Sequence, residues 1–116
     1  LLRKGEFGEK AAVDYLLRKS FRILAKNYRL RFGEIDIIAK KGKTLIFCEV
    51  KTRESSRFGE PFEAVTEAKR ERLKKLAEGY LLAEKPDFEE IRFDVISIFI
   101  DKEKSIFVNH LEGAFD

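Results

Sequence analysis

Residues 33–53, GEIDIIAKKGKTLIFCEVKTR, read as two apolar strands of a hairpin that nonetheless carries Glu34, Asp36, Glu49 and Lys51 in its middle. Strand side chains alternate, so Glu34 and Asp36 share a face, as do Glu49 and Lys51. A two-residue turn at 41–42 sets Asp36 opposite Phe47, and one at 42–43 sets it opposite Glu49. Either register pairs even positions with odd ones, so all four charges fall on one face, with neighbours about 5–8 Å apart. Only a bulge or a three-residue loop would separate them. Close carboxylates repel by roughly 4 kcal/mol per pair in an intermediate dielectric. One lysine offsets that in part; a hard divalent cation such as Mg²⁺ offsets more and selects oxygen ligands of this kind. The competing reading is a solvated face of alternating charges, common in a chain so rich in Glu and Lys.

The elements around the hairpin bear on that choice. A first helix is expected over roughly 6–19, where Phe7, Ala11, Ala12, Tyr15 and Leu16 recur at helical spacing and Asp14 and Arg18 stand at i,i+4. Glu9 continues the line of Ala12, Val13 and Leu16, where a core-facing residue belongs, so it either snorkels to solvent or is a further candidate group aimed at the charged hairpin. Residues 21–31 alternate as a strand; 34–40 and 44–52 form the hairpin, with Ile35, Ile37, Ala39, Ile46, Cys48 and Val50 expected on the core face. A polar loop over 53–61 ends at Pro61, which suits the first turn of a helix running to about Ala83, its stripe formed by Phe62, Val65, Ala68, Leu73, Leu76 and Tyr80. Residues 91–100 are apolar on both faces, as in a buried central strand, and a short strand is expected over 104–110. The order α-β-β-β-α-β-β predicts an α/β fold of mixed sheet flanked by helices, with residues 1–116 forming a single domain.

Composition sets bounds on function. Hydrophobic residues at 44% and 11 Phe give a chain of 116 residues enough bulk for one core. A single cysteine precludes an intramolecular disulfide; no apolar run approaches the roughly 20 residues of a membrane span, and no signal-peptide pattern opens the chain. A cytoplasmic protein with no membrane partner is expected, although the chain lacks an initial Met and its true start is left open. A net charge of +3 mildly favours a polyanionic partner. Charged residues at 39%, with no Gln and only Asn27 and Asn109, lean toward a thermophilic source.

Taken together these residues resemble the PD-D/E-x-K nuclease superfamily, the restriction-endonuclease-like fold, and its Holliday-junction resolvases. More closely, nearly the whole chain resembles the YraN-type family of endonuclease-like proteins. The shared stretches are GEFGEKAAVDY (5–15), GEIDIIA (33–39), CEVKTR (48–53), GEPFEAV (59–65), Lys69 and RFDVI (92–96). The resemblance implies that Asp36 and Glu49 bind the metal, that Lys51 is the signature lysine, and that Glu9 matches the helix glutamate of the resolvases. Ile35 stands where the superfamily's name has Pro, a difference of backbone shape more than of chemistry. The implied activity is Mg²⁺- or Mn²⁺-dependent hydrolysis of DNA, with branched or single-stranded substrates in view. Resolvases of this kind act as dimers, and apolar Phe99, Ile106, Phe107 and Val108 on the last two strands would suit a homodimer or cover by the long helix.

Outside the centre, TEAKRERLKK (66–75) is either a solvated helix face or a phosphate-contacting one, with Lys69 and Arg70 as candidates, while Arg53 and Arg57 bracket a loop placed for backbone contacts. Cys48 is expected in the core, and His110, the only histidine, at the surface; one histidine argues against His-based metal sites and Ser-His-Asp chemistry. Three classes remain: a metal-dependent endonuclease, a non-catalytic nucleic-acid-binding module, and a protein-interaction domain whose carboxylates are surface charge.

Overall fold

The structure, a computed structural model, describes residues 4–54 and 65–116. Helix α1 (Lys4–Arg18) is followed by strands β1 (Arg22–Leu30), β2 (Gly33–Lys41) and β3 (Thr44–Glu54), helix α2 (Glu67–Glu84), and strands β4 (Glu90–Ile100) and β5 (Ile106–Phe115). The strands lie in sequence order in one sheet, antiparallel except for the central parallel pair β3–β4. The element order and mixed sheet agree with the restriction-endonuclease-like expectation.

Each helix covers one sheet face. Ala12 and Leu16 of α1 pack with Ile37, Ala39, Ile46, Cys48, Ile96, Ile98 and Ile100, whereas Leu73, Leu76, Ala77 and Tyr80 of α2 pack with Ile35, Ile38, Leu45 and Phe47. Helix α1 stops where Ser20 takes a left-handed turn (φ 71°) and the N–H of Phe21 returns to the Leu16 carbonyl at 2.9 Å, a Schellman-type ending that drops Phe21 into the core. Helix α2 starts at Thr66, whose hydroxyl accepts the Lys69 N–H at 3.2 Å. It therefore begins later than the proline suggested: residues 65–66 are not helical, and Pro61 and Phe62 lie outside the described residues. Ala68 faces solvent and Ala77 takes a place in the buried stripe. In α1 the ion pair is Lys10–Asp14 at 3.2 Å, one turn before the Asp14–Arg18 spacing read from the sequence.

The hairpin closes through Gly42-Lys43, giving the register Ile37↔Cys48 to Lys41↔Thr44. One expectation about its faces is corrected. Ile35 packs beneath α2 with Ile38, while Ile37 and Ala39 face α1. On β1, Ala25 and Tyr28 likewise share the α2 side. The alternation slips on both strands at the same level, where Asn27 is left-handed (φ 51°) across from Asp36 in the β1–β2 register. A left-handed residue costs about 1–2 kcal/mol, less for Asn, against roughly 1.5–3 kcal/mol for fully burying an isoleucine. The slip delivers Ile35 to the α2 core.

Candidate active site

β2–β3 ladder pairing ends at Ile37↔Cys48. Beyond it the strands diverge around Asp36, whose Oδ2 accepts the Val50 N–H at 2.8 Å in place of a carbonyl. A side-chain carboxylate thus stands where backbone pairing would continue, with room for groups from both layers.

Glu9 reaches this point from α1. Ligand oxygens of Glu9, Glu34 and Asp36 lie within 4.8 Å of one another. The approach depends on Gly8, which is buried against β3: a side-chain carbon there would stand 2.9 Å from Thr52 Cβ, a contact no close-packed structure accepts. Gly8→Ala is expected to lower stability by about 1–3 kcal/mol through overpacking, despite alanine's higher helix propensity. A thermal melt checks this; a variant as stable as the parent would show that α1 docks less tightly.

From the other side, a cleft of about 270 Å³ is lined by Glu34, Asp36 and Glu49 and, on α2, by Lys69, Arg72, Leu73 and Leu76. Glu49 alternates with Cys48 and Val50, which pack toward α1, and so faces α2. Lys51, half-buried, follows two residues on along the same face. Burial raises the Asp36 carboxyl to about 7; Glu49, Glu9 and Glu34 push the same way, and the Val50 N–H bond opposes them without prevailing. Such an all-oxygen donor set, crowded enough to keep a proton near neutral pH, suits a hard divalent cation. Glu49 is not one of the three carboxylates within 4.8 Å, but it is the foremost charge acting on Asp36.

The structure adds Glu34 to the site. The sequence reading placed it among the four hairpin charges without assigning it a role; here it stands with Glu9 and Asp36 and accepts Arg29 Nη2 at 2.8 Å. Arg72 was not singled out either, and it shares the cleft with exposed Lys69. Arg70 is engaged within the chain: its Nε donates to the Val65 carbonyl at 3.0 Å and its guanidinium lies 5.6 Å from the Phe115 ring centre. Arg53 sits half-buried on β3 beside Phe99 of β4, and Arg57 lies outside the described residues.

A second polar cluster was not foreseen. Asp94, fully buried, accepts from Arg92 Nε (2.9 Å) and Nη2 (3.0 Å) and from the Gly113 N–H (3.0 Å), and bonds His110 Nε2 at 2.7 Å. His110 Nδ1 meets the Tyr15 hydroxyl at 3.0 Å. The histidine expected at the surface instead has a side chain only 5% exposed, held between Asp94 of β4 and Tyr15 of α1. The signal was a lone aspartate in the apolar run of 91–100, since a buried carboxylate demands partners. Cys48 is buried as expected, and burial pushes its thiol up, which suits a packing residue and no nucleophile.

This geometry defines an α/β protein whose acidic cluster opens where two sheet strands part, roofed by a helix carrying cations. The chain belongs to the family described as Uncharacterised protein family UPF0102, whose profile matches residues 8–98. It is 49% identical over 102 residues to a UPF0102 protein of Dictyoglomus thermophilum, covering 88% of this chain and 86% of that one. It is 46% identical to one of Clostridioides difficile over 112 residues (97% and 96%), and 49% identical to one of Thermodesulfovibrio yellowstonii over 111 residues (96% and 94%). No helix among the described residues is long and apolar enough to cross a membrane.

Proposed function

We propose that this protein is a metal-dependent DNA endonuclease of the PD-D/E-x-K type, hydrolysing phosphodiester bonds in branched or single-stranded DNA. The observation that carries the reading is the cleft with carboxylates Glu34, Asp36 and Glu49 on one side and Lys69 and Arg72 on the other. A surface-charge patch requires no such opposition of signs across a cleft; a phosphodiester beside a cation does. Asp36 and Glu49, joined by Glu34 and Glu9, would hold Mg²⁺ or Mn²⁺, which supplies polarisation of the scissile phosphate and a more acidic water. Lys51 brings a positive charge to the same face, where it orients the attacking water or stabilises charge developing on the phosphate. Lys69 and Arg72 hold the DNA strand by its phosphates. In the reaction a water oxygen bonds to phosphorus, the bond to the leaving sugar oxygen breaks, and that oxygen takes up a proton.

The test is incubation of branched, single-stranded and duplex DNA with the protein and Mg²⁺ or Mn²⁺, alongside Lys51→Ala and calorimetric titration of the ions. Cleavage by the parent, lost by about 100-fold or more in the variant, supports the reading. Ion binding absent at millimolar concentration would remove it, and salt-sensitive DNA binding without cleavage would leave a non-catalytic binding module.

Paired cutting of a junction also calls for two sites, and we extend the proposal to a homodimer through β5. That strand forms one edge of the sheet and exposes Ile106, Phe107 and Leu111. Sedimentation at micromolar concentration is expected to give a dimer, at least with branched DNA present. A monomer under both conditions would leave a nicking enzyme.

A further inference from the structure

The turn between β1 and β2 consists of Arg31 and Phe32, with Leu30 paired to Gly33 across it. Two-residue turns favour Gly, Asn and Asp, and nothing in the local geometry calls for an aromatic. Packing does not call for one either, because Phe32 is 54% exposed. Its flanks, by contrast, are firmly seated on α2. A side-chain carbon at Gly79 would stand 2.7 Å from Leu30 Cδ1, and one at Gly33 would stand 3.3 Å from Leu76 Cδ1 and 3.6 Å from Arg72 Cδ. Leu76 and Arg72 both line the cleft, as does Glu34, two residues beyond Phe32. The turn that carries the exposed Phe32 ring is therefore anchored beside residues that line the cleft. The turn itself carries exposed Arg31, and the helix against which it is seated carries exposed Arg72 and Lys75, while Arg29 is paired with Glu34.

A solvent-facing aromatic on an anchored turn, with cations on the turn and on the helix it packs against, matches the way single-stranded nucleic acids are held: backbone by charge, bases by stacking. We propose that Phe32 is a stacking platform for an unpaired base of a DNA strand entering the cleft, so that the site selects single-stranded segments over continuous duplex. The inference rests on the phosphodiester reading above. Asp36 is four positions beyond Phe32, about 13 Å of strand, so the stacked base lies roughly four nucleotides from the scissile phosphate at the stacked spacing. Bases inside a duplex already stack on one another and cannot present a face to the ring.

The chain has no Trp, so Phe32→Trp introduces a unique fluorophore. The full-length variant is titrated in EDTA, where hydrolysis does not intervene, with a short single-stranded oligonucleotide and with the duplex of the same sequence. Single strand is expected to quench the indole and duplex to leave it nearly unchanged. In parallel, Phe32→Ala should weaken single-strand binding by about ten-fold or more, change duplex binding less than about two-fold, and leave the salt dependence unaltered. Arg72→Ala should weaken both substrates and reduce the salt slope by about one. Unquenched indole with single-strand affinity intact in Phe32→Ala overturns the proposal while the nuclease reading stands, and so does an equal loss on both substrates. Parent protein that binds neither DNA would defeat both.

Discussion

Acidifying the cation-free protein from pH 8 to pH 5 is expected to raise its melting temperature, and Asp36→Asn is expected to raise it at pH 8 without acid. The sign follows from the Asp36 carboxyl, which burial and then Glu49, Glu9 and Glu34 raise to about 7 in the fold, against about 3.9 in an unfolded chain. Between those values the native state binds a proton that the unfolded state does not. Stability contributed by this group is therefore complete below the lower value and is lost as pH rises through 7. Three pKa units set a ceiling of about 4 kcal/mol. Asparagine keeps an oxygen for the Val50 N–H bond and discards the charge. On the proposed function Mg²⁺ should reverse the order: it would bind the ionised carboxylate, stabilise the parent at pH 8 by mass action, and leave Asp36→Asn unmoved. Activity should vanish in the same variant, making it a protein more stable and less capable than its parent. A parent whose melting temperature is flat between pH 5 and 8 would mean that the carboxylates are not crowded.

The largest loss of stability should come from a residue outside the cleft. Asp94→Ala is expected to cost about 3–5 kcal/mol, because it takes the shared acceptor from the enclosed His110 ring, from the Gly113 N–H and from half-buried Arg92, which keeps only Glu112 at 3.6 Å. Burial alone would raise the Asp94 carboxyl, but the bonds from His110, Arg92 and Gly113 outweigh it and hold it below its ordinary value. Its contribution is thus present above the unfolded pKa near 3.9 and is lost as pH falls through the still lower folded value. Between pH 5 and 8 it is constant, which keeps the Asp36 effect separable. Gly113 serves this acceptor through a left-handed turn (φ 61°), within the irregular β4–β5 pairing between Phe93 and Val95. Urea denaturation of Asp94→Ala measures the loss; a cost under about 1 kcal/mol would show that water satisfies these groups as well as the aspartate does.

Much of the fold was legible because strand and helix periods are written in apolar residues. The seven elements appear in the expected order, and the parity argument for the hairpin needed only the turn at Gly42-Lys43. It failed at Ile35 because the alternation of β2 slips between Ile35 and Ile37, level with left-handed Asn27 on β1, and no pattern within 33–53 records it. Glu34 has no role in the sequence reading, since its nearness to Glu9 on α1 is a tertiary contact that the hairpin alone does not contain. His110 was misplaced because its partners stand 16 and 95 residues away, at Asp94 and Tyr15. Local periodicity carries no information about such pairs.

The parallel pairing of β3 with β4 has a consequence for how the molecule comes into being. Thr44 pairs with Glu90 and Glu54 with Ile100, a constant separation of 46 residues in sequence. Contacts this distant form only after their loop has closed, so they slow folding. During synthesis, which runs N-terminus first, Glu9, Asp36 and Glu49 leave the ribosome early, but β3 then has no strand on its far side and no α2 above it. The acidic cluster must wait for residue 100 before β3 has its parallel partner, and for residue 115 before its sheet is complete. A nascent chain therefore carries all its carboxylates well before it can hold them together, and whatever chemistry they perform is confined to the finished protein.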